Sequence, residues 1–201
     1  ISKVNTNVGG SDITIQDVLI KDCSSAIMII DHDDVEIERV DVINQEEEGL
    51  LFGTVNNGTI TDCTFDGIGI VGMSYGVAAI QFNVCSDVTV SNCVIKNVYN
   101  NLNDWDGVGV DLEGNNENIT VDNCHMQQLG DAGLMVYRNP DWGVDNKNIT
   151  FTNNTLALNG LKDVTKWSSG FKWIKNWDVQ GTISNNEIIR YYGGDYSRHN
   201  N

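Results

Sequence analysis

Short runs of alternating apolar and polar residues recur along the whole chain. Each run places two apolar side chains two residues apart, as at Ile13 and Ile15 or at Val88 and Val90, and a polar corner and a second apolar pair follow. Alternation with a period of two is typical of a β-strand that buries one face. The runs are SDITIQDVLIKDC from Ser11, DDVEIERVDVINQ from Asp33, NNGTITDCTFDGI from Asn56, SDVTVSNCVIKNV from Ser86, ENITVDNCHMQQL from Glu117, KNITFTNNTLALN from Lys147 and VQGTISNNEIIRY from Val179. They form an internal repeat, and their starts lie 22 to 32 residues apart.

A further strand lies between successive copies and begins with a small residue, as in Gly49-Leu50-Leu51-Phe52 and in Gly133 to Tyr137. Three short strands per period, separated by corners, predict an all-β solenoid, a parallel β-helix of about seven coils. Because neighbouring strands stack about 4.8 Å apart, the rod would be roughly 34 Å long. We expect residues 1–201 to form a single such domain within a longer protein, since neither end shows a polar cap over its strand edges.

One position of the repeat carries small residues that change type along the chain. In successive copies it is occupied by Val18, Val40, Cys63, Cys93, Cys124, Asn154 and Asn186. We therefore predict an inward ladder of small side chains that gives way to an asparagine ladder, whose stacked amides hydrogen-bond along the axis. The five cysteines are expected to be free thiols, although neighbours in the ladder could also pair. Cys23 and Cys85 lie off this ladder near corners, and no cysteine spacing indicates a metal-thiolate site.

The recurring pattern x-N-I-T-V-x-N-N/C-x-I, followed by a strand of the form G-[IVL]-x-[IVF], resembles the right-handed parallel β-helix repeats of polysaccharide lyases, polygalacturonases and related secreted carbohydrate-active proteins. The resemblance covers almost the whole chain and implies a right-handed helix with a substrate groove along one sheet. It implies no particular reaction, because many unrelated reactions and structural fibres use the same coil. The acid, histidine-glycine and arginine-isoleucine-lysine signature of polygalacturonases is absent, and no arginine is placed like the base of the lyases.

Composition and charge narrow the class of partner. Twenty glycines and one proline fit frequent tight turns, and the net charge is −16. This charge argues against nucleic acid and anionic membrane surfaces, which are bound by basic patches. It also argues against a polyanion such as pectate unless cations bridge the two. The sequence contains no run of 18 apolar residues, the length that could span a membrane. The polar, lysine-poor composition favours an extracellular or cell-surface location.

One cluster of acids lies in Asn103–Gly114, which carries four carboxylates and ends in an alternating strand. If Val108, Val110 and Leu112 point inward, then alternation places Asp111 and Glu113 outward, beside glycines on a bare platform. Like charges side by side on one strand face are uncommon in a purely structural strand. This platform is therefore the predicted functional site.

Asp111 and Glu113, two apart on a strand, would have Cα atoms about 6.6 Å apart. Inverting glycosidases use carboxyl groups about 6.5–9.5 Å apart, which leaves room for a water molecule. The two acids are thus the predicted acid/base pair. Asp106, or Asp104 beside it on the preceding loop, could supply the second carboxyl instead.

Substrate contacts are predicted around this pair. The repeat register places Gln81 on the coil before Asp111 and Tyr137 on the coil after it, with Arg138 and Lys172 close by, as groups that orient a sugar. The later coils carry loop insertions of about eight residues, and insertions in solenoids often gather on the binding face. Two tryptophans of these insertions, Trp105 and Trp142, either stack on the sugar or fold back into their own loops.

A calcium site is an alternative reading of the same acids. Asp104, Asp106, Gly107 and Glu113 match part of an EF-hand loop, but Leu102 replaces its first acid and a strand replaces its second helix. We treat this match as chance, although a calcium site of another kind stays open, and we predict no other metal or cofactor.

Other polar clusters have simpler interpretations. The runs Asp31-His32-Asp33-Asp34 and Glu46-Glu47-Glu48 fall where the coil turns and are expected to be solvated corners. His125, which follows an inward cysteine, should face solvent.

The leading functional hypothesis is hydrolysis of a neutral or weakly charged polysaccharide or oligosaccharide by carboxylate acid/base catalysis. The alternative is a non-catalytic adhesin, fibre or glycan-binding module. A polysaccharide lyase is a third possibility, disfavoured by the acidity and the missing base. Neighbouring domains or coils of a longer chain are the other expected partners.

Overall fold

A computed structural model describes residues 10–71, 77–99, 107–138, 145–158, 169–174 and 181–190. In these ranges the chain consists of strands and turns, and none of it forms a helix that could span a membrane. The strands are β1 (Ile13–Lys21), β2 (Ile27–Gln45), β3 (Leu50–Thr61), β4 (Thr64–Ile68), β5 (Ala78–Asn83), β6 (Ser86–Ser91), β7 (Val94–Val98), β8 (Val108–Glu113), β9 (Glu117–Asp122), β10 (His125–Leu129), β11 (Ala132–Tyr137), β12 (Ile149–Thr152), β13 (Thr155–Leu158), β14 (Ser169–Ile174), β15 (Gly181–Ser184) and β16 (Glu187–Arg190).

Strands at the same place in successive coils pair in parallel and in register, which produces three sheets. Sheet 1 contains β5, β8, β11 and β14 with the first parts of β2 and β3. Sheet 2 contains β6, β9, β12 and β15 with the start of β1, the middle of β2 and the end of β3. Sheet 3 contains β4, β7, β10, β13 and β16 with the last parts of β1 and β2. This is the parallel β-helix predicted from the repeat, and it is consistent with about seven coils.

The longest strand, β2, passes through all three sheets because the first coils are short. The coils that start at Ser11 and Asp33 carry no inserted loops, so their corners are single left-handed residues such as Asp34 and Arg39, and strand pairing continues on both sides of them. Later coils are longer, and their strands are separate elements of four to six residues. The added length therefore lies between the strands, as expected for a solenoid.

The interior is filled by the inward side chains of the strands from β2 to β13. Ile60, Val90, Val121 and Phe151 occupy one position on successive strands of sheet 2, and all are fully buried. Complete burial of one such side chain contributes about 1.5–3 kcal/mol. The core thus runs continuously along the axis and fixes which side of each strand faces outward.

The corners explain why the chain is rich in Asp and Asn. Residues with positive φ recur at fixed corner positions, and Asn and Asp tolerate this left-handed conformation better than other non-glycine residues. One such corner carries Asp62, Asn92, Asn123, Asn153 and Asn185. Amides at the corners also bond between coils, since Asn123 donates to Asn92 Oδ1 at 2.7 Å.

The predicted ladder of cysteine and asparagine is confirmed. The Cys124 N–H donates to Asn154 Oδ1 at 2.8 Å, and the Asn154 N–H donates to Asn186 Oδ1 at 2.9 Å. The Asn154 amide also donates to Val121 O and to Asn186 Oδ1, both at 3.0 Å. All five cysteines are free thiols, as expected.

A second inward ladder was missed from the sequence. The Cys85 N–H donates to Asn116 Oδ1 at 2.8 Å, and Asn116 donates from its backbone N–H and its amide to Asn146 Oδ1 at 3.1 and 2.8 Å. Its earlier members are Val55 and His32, which is 7% exposed. Each member directly precedes the start of a repeat copy, and this shared position is the signal that could have revealed the ladder. The expectation of a solvated corner is therefore wrong for His32.

Candidate functional site

The predicted acids lie on the outward side of sheet 1, on its central strand β8. The interior positions of this sheet belong to Ile80, Val110 and Leu134, which pair in register. The next position along each strand holds Gln81, Asp111 and Met135, which therefore point to the opposite side. This side of β5, β8 and β11 is called the sheet 1 face below.

Asp111 and Glu113 occupy the same side of β8, as predicted. Leu112 between them is fully buried in the core, so the two carboxyl groups project together with Cα atoms about 6.6 Å apart. Tyr137 pairs with Glu113, whereas the partner of Asp111 on the later coil is Met135. The predicted pairing of Tyr137 with Asp111 is wrong by two residues, because the span from β8 to β11 is shorter than the repeat suggested.

The expectation of a bare platform is also wrong. Asp111 retains only 5% exposure and Met135 6%, while Glu113 is half-buried. Val108 and Ala78 form a buried cluster with Met135, against which Tyr137 packs. The acids thus lie in a shielded environment beside an apolar cluster.

Val108 was predicted to point inward and instead lies on the sheet 1 face. The interior position belongs to Gly109, where a Cβ atom would lie 2.7 Å from Gly133 O and 3.0 Å from Met126 Sδ. The coils approach too closely there for a side chain. The alternation along β8 is therefore broken between Val108 and Val110.

Polar groups flank the acids. Gln81, half-buried beside Asp111, donates from its amide to Asn83 Oδ1 at 3.2 Å. Arg138 follows Tyr137 and forms an ion pair with Asp145, with Nε and Oδ1 3.3 Å apart. Lys172 pairs through its backbone with Met135, which places it one coil beyond Met135 in the row that contains Asp111.

Two further acids lie just before strands of sheet 1, are almost fully buried and were not recognised from the sequence. Glu48 is 8% exposed and Asp131 is 7% exposed, and each directly precedes a strand of this sheet or its small first residue. The Ser25 hydroxyl donates to Glu47 at 2.8 Å and to Glu48 at 3.4 Å. The expectation that residues 46–48 form a solvated corner is thus wrong for Glu48, which is buried directly before the glycine that leads into β3.

Several predicted residues lie outside the described ranges, namely Asp104, Trp105, Asp106 and Trp142. Within those ranges, no group of three or more His, Cys, Asp or Glu side chains is arranged to hold a metal ion. His125 is exposed, as predicted.

The comparisons with known proteins agree with this architecture. A family model described as a right-handed beta helix region matches residues 4–201, and the chain belongs to this family. The solenoid is therefore right-handed, as the resemblance to parallel β-helix repeats implied.

One solved structure similar to this chain is alginate lyase from Paenibacillus sp. str. FPU-7, with a TM-score of 0.59 and 16% identity. The match covers 89% of this chain and 65% of that chain, so the chain spans somewhat less than two thirds of the lyase. At this identity the likeness is one of fold. No match to this sequence was found among curated proteins.

Proposed function

We propose that this is a secreted, glycan-active protein that hydrolyses a neutral or weakly charged polysaccharide on the sheet 1 face. The observation that carries the proposal is the pair Asp111 and Glu113, which share one side of β8 and are flanked in register by Gln81 and Tyr137. An inverting glycosidase requires two carboxyl groups about 6.5–9.5 Å apart, and Cα atoms about 6.6 Å apart on one side of a strand are compatible with that separation.

The different exposure of the two acids suggests their roles. A general base must contact the water that it activates, and the half-buried Glu113 is the more accessible of the two. Asp111, shielded from bulk water, would protonate the departing glycosidic oxygen. Asp106, two residues before β8 in the sequence, is the alternative second carboxyl.

The surroundings fit a sugar better than an apolar ligand. Gln81 and Tyr137 present an amide and a phenol beside the acids, and sugar hydroxyls bond to both groups. Arg138 and Lys172 would orient the sugar chain from the next coils, and Trp105, Trp142 and Asp104 are the other proposed substrate contacts. A net charge of −16 supports a neutral polymer over a polyuronate.

A polysaccharide lyase is a second candidate, favoured by the fold likeness to an alginate lyase. Eliminative cleavage of a uronate requires a cation near the substrate carboxylate. Arg138 lies next to Tyr137 but is paired with Asp145, which weakens this assignment. A binding module without turnover is the remaining alternative.

One experiment distinguishes the three candidate functions. The protein is incubated with a panel of neutral polysaccharides and of polyuronates, and reducing ends, unsaturated uronates and retention on insoluble glycan are measured. We expect reducing ends from a neutral polymer without unsaturated product. Unsaturated uronates would identify a lyase, and retention without any new chain ends would identify a binding module.

A further inference from the structure

Cys63, Cys93 and Cys124 lie at the same corner of three successive coils, and each is at most 2% exposed. The coils are in register there, because the Val94 N–H donates to Cys63 O and the His125 N–H donates to Cys93 O, both at 2.9 Å. Each thiol donates to the carbonyl two residues before it, at 3.2 to 3.3 Å. The three side chains therefore share one orientation and stack along the axis.

We propose that this ladder is a site of disulfide formation, in which Cys93 bonds either to Cys63 or to Cys124 and never to both. Neighbouring coils place Cα atoms about 4.8 Å apart, which lies within the range of about 4.4–6.8 Å found for disulfides. Because the side chains are parallel, their Cβ atoms are about equally far apart and must approach by a few tenths of an ångström to reach the ~3.5–4.5 Å of a disulfide. Cys63 and Cys124 are two coils apart, about 9.6 Å, and a bridge fails beyond about 7 Å. One disulfide thus forms per chain, and one ladder thiol always remains.

In the folded ladder the three thiols interact with one another. Hydrogen bonding with Cys93 lowers the pKa of the Cys63 and Cys124 thiols, and hydrogen bonding with these two neighbours raises the pKa of Cys93. The thiol–carbonyl bonds that must be given up are weak.

A small disulfide such as oxidised glutathione is the oxidant. The thiolate of Cys63 or Cys124 attacks one of its sulfurs, forms a mixed disulfide and releases one glutathione thiolate. The Cys93 sulfur then attacks the protein sulfur of the mixed disulfide, its proton passes to the second departing glutathione, and the protein disulfide is complete. Two protein thiols are oxidised and one oxidised glutathione is reduced to two glutathione molecules. Because the folded ladder is closed to solvent, the exchange takes place while the coils assemble.

The other cysteines lack such a neighbour. Cys85 lies between Val55 and Asn116 in the second ladder, and burial raises the pKa of its thiol to about 11. Cys23 is half-buried at a corner of the first coil. The site is thus specific to the three-cysteine ladder.

The test is refolding in mixtures of reduced and oxidised glutathione, followed by non-reducing peptide mapping by mass spectrometry. Cys23→Ser is the background, because it removes the partly exposed thiol that could join two chains. We expect one disulfide per chain, distributed between Cys63–Cys93 and Cys93–Cys124. Closure of a whole coil should raise the melting temperature by roughly 5–10 °C relative to the reduced protein.

Each ladder cysteine can be replaced by valine without disturbing the fold, because Val18 and Val40 occupy the same ladder position in the first two coils. The valine variants therefore report on disulfide formation and not on a folding defect. Cys63→Val should leave only Cys93–Cys124, Cys124→Val only Cys63–Cys93, and Cys93→Val no disulfide, whereas Cys85→Val should change nothing. Circular dichroism confirms that each variant is folded. A fully reduced parent, a Cys63–Cys124 bond or a disulfide that survives Cys93→Val would overturn the proposal.

Discussion

The outward sides of sheets 1 and 2 are built on the same coils and carry different side chains. On sheet 2, one register position in successive coils is occupied by Thr59, Thr89, Thr120 and Thr150. On sheet 1, the row that contains the candidate acid is Leu51, Gln81, Asp111 and Met135. Threonine favours a strand on a partly exposed surface, so the sheet 2 row is what the scaffold alone requires. The row that contains Asp111 departs from this pattern, and the function proposed above offers an explanation for the difference.

The contrast between sheets 1 and 2 predicts that the largest effect of a substitution is on activity, at Asp111. Asp111→Asn keeps the shape of the side chain and removes its acid function, and we expect kcat to fall by about 10²–10⁴-fold, the usual contribution of a general acid or base. The control is Asp122→Asn, at the end of β9 on sheet 2, where the carboxylate accepts bonds from Thr152 and Asn153 at 2.8 and 2.7 Å. The release of reducing ends and the melting temperature are measured for both variants and for the parent.

Equal losses of activity in the two variants would contradict the comparison. So would a fully active Asp111→Asn. A loss that tracks the melting temperature would assign Asp111 to stability instead.

The second expected effect is on the free energy of unfolding, which should fall much more when an inward residue is truncated than when an outward residue is truncated. Leu112→Ala removes a fully buried side chain from the core beside the acids, and we expect the free energy of unfolding to fall by about 2–5 kcal/mol. Thr120→Ala on the outward side of sheet 2 should change it by no more than about 0.5 kcal/mol. Urea unfolding of both variants measures the difference, and a large cost at Thr120 would show that its row is more than a solvated surface.

The third effect concerns the ladders that join the sheets. Asn154→Ala leaves the buried Cys124 N–H and Val121 O without their amide partner, and we expect a loss of about 1–3 kcal/mol. Asn123→Gly is the matched control, because Asn123 is an exposed corner residue with φ 51° and glycine adopts that conformation freely. Its cost should be about 0.5 kcal/mol or less. If the two variants lose equal stability, the buried ladder has no special role.

The positions that sequence reasoning placed correctly are those fixed by local alternation and by the repeat. Val110 and Leu112 point inward and Asp111 and Glu113 outward because successive side chains of a strand alternate. The asparagine ladder followed from residues that share one repeat position, since stacking in register brings their amides into bonding distance.

The failures have equally physical causes. Alternation tells which side of a strand a residue takes and not how deeply that side is buried, so the 5% exposure of Asp111 could not be foreseen. The close approach of Gly109 and Gly133 displaced Val108, and it depends on the packing of two coils. Tyr137 was misplaced because inserted loops differ in length, and the register across them is set by pairing in three dimensions.

The smallest expected effect is at a corner that belongs to neither face. Arg39 donates to both carboxylate oxygens of Asp17 on the first coil, at 2.7 and 2.9 Å, and also contacts Glu38. Both Asp17 and Arg39 are exposed, so water and salt screen the pair and its contribution to stability is small.

The contribution of this ion pair to stability depends on pH, and its sign follows from hydrogen bonding by Arg39, which holds the pKa of Asp17 below its usual value. A carboxyl group whose pKa is lower in the folded than in the unfolded chain stabilises the fold above its unfolded pKa of about 3.9 and loses that contribution as the pH falls through the folded value. Asp17→Asn should therefore lower the melting temperature by only about 1 °C at neutral pH and low salt, with no difference from the parent at strongly acidic pH. Thermal melts across this range test the sign. A difference in melting temperature that grows as the pH falls would contradict this sign. A large difference at neutral pH would mean that this exposed ion pair contributes more to stability than such pairs usually do.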